Sequence, residues 1–93
     1  MAEVTIRVSH TLGRAEALAR LRRATEGLAQ SGRIVRTLEW SVESARVAGD
    51  GFEGQLVVGE TEVTGRVELG WKLAFFPLRV QREAEAWLRE ALA

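Results

Sequence analysis

The first third of the chain combines a strand pattern with a helix pattern. Val4, Ile6 and Val8 alternate with polar residues, which is typical of a half-buried strand. Residues 12–30 then repeat apolar positions at helical spacing. Gly32 is placed to end this helix, because glycine adopts the left-handed conformation that closes a helix at little cost. The pattern therefore predicts a strand followed by an amphipathic helix.

The middle of the chain is typical of strands joined by short turns. Residues 34–42 carry apolar side chains mainly at even positions, which predicts a second strand. The segment 45–58 is interrupted by Gly49-Asp50-Gly51. It is therefore either one long strand with a bulge or two short strands joined by an Asp-Gly hairpin. Residues 61–69 show the clearest alternation and predict a further strand.

A second amphipathic helix is predicted directly after Pro77, with apolar positions at helical spacing from Val80 to Ala91. The predicted order is β-α-β-β-β-α. Alternating strands give one apolar and one polar sheet face, so we expect an α+β fold with an antiparallel sheet and both helices packed on one face. At 93 residues, the chain is expected to form a single domain over residues 1–93.

Composition excludes several classes of protein. Without cysteine, neither disulfides nor thiolate chemistry are possible. The longest apolar run, residues 73–78, is too short to span a membrane. The first residues follow a strand pattern and lack the apolar core of a targeting segment. We therefore expect a cytoplasmic protein with no membrane span.

Charge is zero overall but unevenly distributed. Residues 1–36 contain seven Arg and three Glu (+4), residues 37–70 two Arg and seven acids (−5), and residues 71–93 four Lys or Arg and three Glu (+1). The ordinary interpretation is that solvated faces differ in sign. This distribution favours contact between copies, such as a homodimer, over nucleic-acid binding, which a neutral total also argues against.

Motifs of catalytic or cofactor chemistry are weak in this chain. Gly49, Gly51 and Gly54 spell G-x-G-x-x-G, but strand sequence follows them instead of the helix that a dinucleotide site requires. His10 is the only histidine, and we expect it to make hydrogen bonds at the strand–helix junction. No carboxylate pair stands in an apolar setting that would favour acid catalysis. The sequence predicts no catalytic, metal or cofactor residues and therefore no enzyme.

The segment 71–78 is the most unusual in composition, because it is aromatic, apolar and interrupted by proline. One interpretation is that it covers the open end of the core. The other is an apolar patch that contacts another subunit, a lipid-like ligand or a hydrophobic particle. Neighbouring Phe75 and Phe76 cannot both enter one core easily, so we expect one of them at the surface. The predicted interaction patch comprises Trp71, Leu73, Phe75, Phe76 and Leu78.

Several of these features together resemble the polyhydroxyalkanoic acid system family, small bacterial proteins of polyester-granule gene regions. The resemblance rests on His10-Thr11-Leu12-Gly13 after a short strand, Trp40, Gly51-Phe52-Glu53-Gly54, the strand Val63 to Leu69, the apolar stretch Leu69 to Phe76 and the charged terminal helix. It implies an accessory protein, with no catalytic residues to carry over, placed in the cytoplasm or at the granule surface. Its partners would be the polyester granule surface or granule proteins.

The motif residues His10, Leu12 and Gly13 are interpreted from the pattern as a structural junction. An alternative function is binding of a small apolar ligand, lipid-like or acyl-like, between the sheet and a helix. The predicted cavity for such a ligand is lined by Trp40, Phe52 and Trp87.

Overall fold

The computed structural model describes residues 2–31 and 35–93 of the chain. The predicted helix end at Gly32 and the first residue of the predicted second strand, Ile34, lie outside these residues. The described elements, in chain order, are β1 (Ala2–Ser9), α1 (Arg14–Ser31), β2 (Val35–Trp40), β3 (Ser44–Gly49), β4 (Phe52–Val58), β5 (Glu62–Leu69) and α2 (Pro77–Leu92).

The strands form one sheet in the order β1-β5-β4-β3-β2, and every neighbouring pair is antiparallel. Strands β2 to β5 are a meander, and β1 is added at the free side of β5. The predicted α+β fold with an antiparallel sheet is thus confirmed. The segment 45–58 forms the hairpin alternative, because Gly49 pairs with Phe52 across Asp50 and Gly51. Gly51 has φ +89°, a backbone conformation that favours glycine.

Alternation along β1 and β5 produces the apolar inner face of the sheet. Val4 lies opposite Val67 and Val8 lies opposite Val63, and all four side chains are buried. Both helices cover this face: α2 lies against β1, while α1 contacts α2, β2 and β4. The opposite sheet face, here called the outer face, is left uncovered by the two helices.

Gly65 lies on the inner face in the middle of β5, between Ile6 on β1 and Leu56 on β4. A Cβ atom at this position would lie 2.7 Å from Leu56 Cδ2 and 3.0 Å from the carbonyl oxygen of Gln55. Because Gly65 has no side chain, Leu56 can lie across β5 toward the core.

Polar contacts attach α1 to the edge strand β2. Thr25 is buried, and its hydroxyl donates to the Arg22 carbonyl (3.0 Å) and accepts from Trp40 Nε1 (3.1 Å). The Arg22 guanidinium lies 5.3 Å from the centre of the Trp40 ring, within the range of a cation–π interaction. The buried hydroxyl is thus fully satisfied, and Trp40 is held against the helix.

A second arginine joins the two helices. Arg20 Nη1 donates to the carbonyl oxygens of Leu92 (3.1 Å) and Ala93 (2.8 Å). These carbonyls belong to the last turn of α2 and its C-cap, where a positive charge interacts favourably with the helix dipole. The end of α2 is therefore fixed beside the first half of α1.

We predict opposite effects of alanine at two glycines. Gly65→Ala lowers the free energy of unfolding by about 1–3 kcal/mol, because the new Cβ must displace Leu56 or the backbone of β4. Gly27→Ala is the control: nothing lies within 4 Å of its Cβ position in α1, so stability rises by up to about 1 kcal/mol. Urea unfolding measures both changes. Equal stability of the two variants would contradict this account of the inner face.

Candidate functional site

The connection between β5 and α2 is a series of turns fixed to the β3–β4 hairpin. The Gly70 N–H donates to the Gly51 carbonyl (2.7 Å), and a Cβ on Gly70 would lie 3.2 Å from that same oxygen. The N–H groups of Leu73 and Ala74 donate to the Gly70 carbonyl (3.1 and 2.9 Å), and that of Phe76 donates to the Leu73 carbonyl (3.0 Å). Backbone hydrogen bonds therefore define the path of this segment.

Of the five residues of the predicted interaction patch, one is directed inward and four are directed outward. Leu73 packs against the core. Trp71, Phe75, Phe76 and Leu78 are exposed at 74, 79, 53 and 66 %, and we call these four residues the aromatic patch. The sequence predicts one of the two phenylalanines at the surface, and the structure exposes both. Of the predicted interaction residues, only Leu73 is turned toward the core.

The exposed Phe76 lies at the start of α2. Phe76 is the N-cap residue, with φ −129° and ψ 47°, and Pro77 opens the helix. Its carbonyl accepts from the Val80 N–H (3.1 Å), but its side chain makes no capping hydrogen bond. Serine, threonine or aspartate at an N-cap stabilises a helix by about 1 kcal/mol relative to an apolar residue. Helix stability therefore does not account for phenylalanine at this position.

Positive charge adjoins the aromatic patch. Lys72 Nζ lies 6.0 Å from the centre of the Trp71 ring. Arg79 follows Leu78 on the first turn of α2, where its Nε is 3.3 Å from a Glu83 carboxylate oxygen. The patch therefore combines a large apolar area with a cation at its margin.

The three residues of the predicted ligand cavity lie on the inner side of the molecule, each partly buried against the core. Trp40 pairs with Ala45 of β3, whereas Phe52 pairs with Gly49, four residues farther along the same strand. Four residues of strand span about 13 Å. The structure therefore does not bring Trp40 and Phe52 together, and Trp87 lies on α2.

Two depressions lie on the outer face of the sheet. The first, of about 280 Å³, is lined by charged and polar side chains, and the second, of about 260 Å³, lies beside the β2–β3 turn. Sequence reasoning missed both of them. The signal that could have indicated the first is the run of charges at the outward positions of four strands. The side chains that line the first depression are Glu3, Arg46, Glu53, Gln55, Arg66 and Glu68.

The junction between β1 and α1 is held by the single histidine. His10 Nε2 lies 3.0 Å from the Gly59 carbonyl, and His10 Nδ1 accepts from the Leu12 N–H (3.2 Å). The His10 N–H donates to the Thr61 carbonyl (2.8 Å). With Nδ1 as the acceptor, the neutral ring carries its proton on Nε2 and donates it to the Gly59 carbonyl. Both ring nitrogens are thus engaged with backbone, which ties this junction to the β4–β5 turn.

Neighbouring residues complete the junction. Gly13 has φ +81°, and its carbonyl accepts from the Ala17 N–H in the first turn of α1 (3.1 Å). Arg14 lies 3.2 Å from a Glu43 carboxylate oxygen and 3.9 Å from one of Glu60. Two turns of the meander are therefore linked to the start of α1.

The described residues contain neither a metal-binding cluster nor a membrane-spanning helix. Within residues 2–31 and 35–93, no three His, Asp or Glu side chains are grouped closely enough to hold a metal ion. In the same residues, neither helix combines the length and apolarity needed to cross a bilayer.

Comparison with known proteins identifies one family. A family model described as "Putative polyhydroxyalkanoic acid system protein" matches residues 4–92. Among solved structures, a crystal structure of DR_A0006 from Deinococcus radiodurans is similar over 98 % of this chain and 92 % of that chain, with 17 % identity and a TM-score of 0.39. No curated protein matches the chain. The matched residues include at least part of every element from β1 to α2, and the match confirms the resemblance of the motifs to this family.

The histidine junction gives a direct prediction. Long-range ¹⁵N–¹H spectra of the neutral His10 imidazole should show a protonated Nε2 and an unprotonated Nδ1. His10→Ala removes the hydrogen bonds to Leu12 and Gly59, so the free energy of unfolding should fall by about 1–3 kcal/mol. Thr11→Ala is the control, because Thr11 is exposed beside it. Observation of the Nδ1–H form would contradict the assigned hydrogen bonds.

Proposed function

The chain belongs to the polyhydroxyalkanoic acid system family, and on that premise we propose that it is a non-enzymatic accessory protein that adsorbs to polyester granules through the aromatic patch. The observation that supports this proposal is the exposure of four large apolar side chains within eight residues, each by more than half. Exposed apolar groups concentrated in this way are typical of interaction sites. The proposed location is the cytoplasmic surface of the granule.

Energetics support reversible adsorption. An apolar surface that covered about 300 Å² of the aromatic patch would contribute about 7 kcal/mol. This is of the same order as the loss of translational and rotational freedom on association. Loss of one aromatic side chain should therefore weaken binding measurably. One patch alone should bind reversibly.

The support beneath the aromatic patch lowers the cost of binding. The hydrogen bond from Gly70 to Gly51 and the packing of Leu73 fix the segment before it meets a surface. A preformed binding surface loses little conformational entropy on contact. Lys72, next to Trp71, would add attraction to carboxylate or phosphate groups at a granule surface.

We favour adsorption over the alternative of a small apolar ligand. That function needs Trp40, Phe52 and Trp87 to line one cavity. Trp40 is instead engaged by Thr25, and its position in the sheet is four residues away from that of Phe52. The aromatic patch, in contrast, is open to a large partner.

Co-sedimentation with polyhydroxyalkanoate particles stripped of their own proteins tests the proposal. Trp71→Ser combined with Phe75→Ser removes the two most exposed members of the aromatic patch. We expect the protein concentration for half-maximal binding to rise by at least about tenfold, which corresponds to a loss of about 1.4 kcal/mol. Unfolding curves should remain close to those of the unsubstituted protein, because neither side chain belongs to the core.

The matched control is Val42→Ser. Val42 is 85 % exposed, but it lies in the β2–β3 turn, at the end of β3 opposite to the hairpin that holds the aromatic patch. Its binding should equal that of the unsubstituted protein. Undiminished sedimentation of the double variant, or an equal loss in Val42→Ser, would contradict adsorption through the patch.

A further inference from the structure

Three carboxylates form a row across the outer face of the sheet. Glu3 of β1 pairs with Glu68 of β5, and Glu68 pairs with Glu53 of β4. All three residues are exposed. Like charges placed directly opposite each other on neighbouring strands are destabilising. The isolated chain therefore carries an electrostatic cost in this acidic row.

A basic row lies next to it, two residues along each strand. Arg66 of β5 pairs with Gln55 of β4, which pairs with Arg46 of β3. Arg66 Nε reaches a Glu3 carboxylate oxygen only at 3.9 Å, and the Arg66 side chain is mostly exposed. Glu39 of β2 lies opposite Arg46, but among the described residues Arg46 forms no ion pair. The two rows therefore neutralise each other only in part within one chain.

The shape of this face also suits a contact. The depression of about 280 Å³ lies between the two rows and is lined by members of both. Neither helix packs on this side of the sheet. The depression has room for long side chains from a second molecule, which would contact both the acidic and the basic row there.

We propose that the outer face binds a second copy of the same chain, with the acidic row of each copy against the basic row of the other. The two-fold axis of this dimer lies in the interface, perpendicular to the strands and midway between the two rows. Rotation about this axis exchanges the two rows and places each strand over the same strand of the other copy. Arg66 of one copy then lies over Glu68 of the other, and the same contact occurs twice. A closed two-fold dimer needs a self-complementary face of this kind.

The available area predicts a weak and salt-sensitive dimer. Five strands spaced by about 4.8 Å and seven residues at about 3.3 Å give a face of roughly 550 Å² per copy. The total of roughly 1,100 Å² is near the lower limit for specific interfaces. Because the contacts are exposed ion pairs, added salt screens them strongly. We therefore expect association in the micromolar range.

This dimer is independent of the proposed granule adsorption. The aromatic patch follows the Gly70–Gly51 hydrogen bond at the β3–β4 end of the sheet, and none of its four residues lines the outer-face depression. Dimerisation would leave the patch free, and the two proposals can fail separately.

Charge exchange tests the proposed interface by sedimentation velocity at low salt over a range of protein concentrations. Arg66→Glu places a glutamate over Glu68 of the other copy, and Glu68→Arg places an arginine over Arg66 of the other copy. Each variant should therefore weaken self-association by at least about tenfold.

Recombining the two substitutions should rescue the dimer. In a mixture of the variants, the glutamate introduced at position 66 of one copy meets the arginine introduced at position 68 of the other. The second contact of that heterodimer keeps the original pair, Arg66 against Glu68. Arg66→Glu and Glu68→Arg combined in one chain should likewise restore the homodimer.

The control is Arg23→Glu at an exposed position on α1. It changes the net charge by the same amount as Arg66→Glu. It should dimerise like the unsubstituted protein, and this dimer should dissociate when salt is added. The proposal is overturned if the unsubstituted protein stays monomeric at hundreds of micromolar. It is also overturned if mixing the variants restores nothing, or if Arg23→Glu is as harmful as Arg66→Glu.

Discussion

Ile6, Gly65 and Leu56 lie side by side on three neighbouring strands, and the rest of the structure depends on this close contact. It joins β1, which leads into α1, to β5, which leads into α2. Both helices pack on the apolar face that these strands form. A chain of 93 residues buries a limited share of its surface, and one covered face uses most of its large apolar side chains.

The two proposed binding surfaces follow from this arrangement. The outer face keeps its charges because nothing in the described part of the chain packs over it. Backbone hydrogen bonds fix the turns between β5 and α2, and only Leu73 is directed toward the core. The other large apolar side chains therefore form the aromatic patch at the surface. Phe76 is placed at a helix start where it gives no capping hydrogen bond. Both surfaces are therefore open to partners without rearrangement of the core.

The sequence predicted the helices and strands more accurately than the contacts between them. Period-two alternation identified β1 and β5, helical spacing identified α1 and α2, and the motifs led to the correct family. The hairpin at Gly51 was one of two alternatives, which only the pairing of Gly49 with Phe52 decides. The exposure of both Phe75 and Phe76 depends on the long-range contact between Gly70 and Gly51. No local pattern contains that information.

Strand register is the other property that the sequence pattern does not determine. The separation of Trp40 from Phe52 and the row of Glu3, Glu68 and Glu53 are both set by which residues pair across strands. Alternation within a strand shows which side chains share a face, but it does not show which ones are neighbours. The ligand-cavity hypothesis and the outer-face rows therefore needed the assembled sheet.

Hydroxyl-radical footprinting of the unsubstituted protein, free and bound to polyhydroxyalkanoate particles, tests the central claim most directly. It reports the solvent exposure of individual side chains and needs no substitution. The account predicts that Trp71, Phe75 and Phe76 lose reactivity on the particles while Val42, also apolar and more exposed, keeps it. Bound protein in which these three aromatic side chains remain as reactive as in solution would contradict adsorption through the aromatic patch.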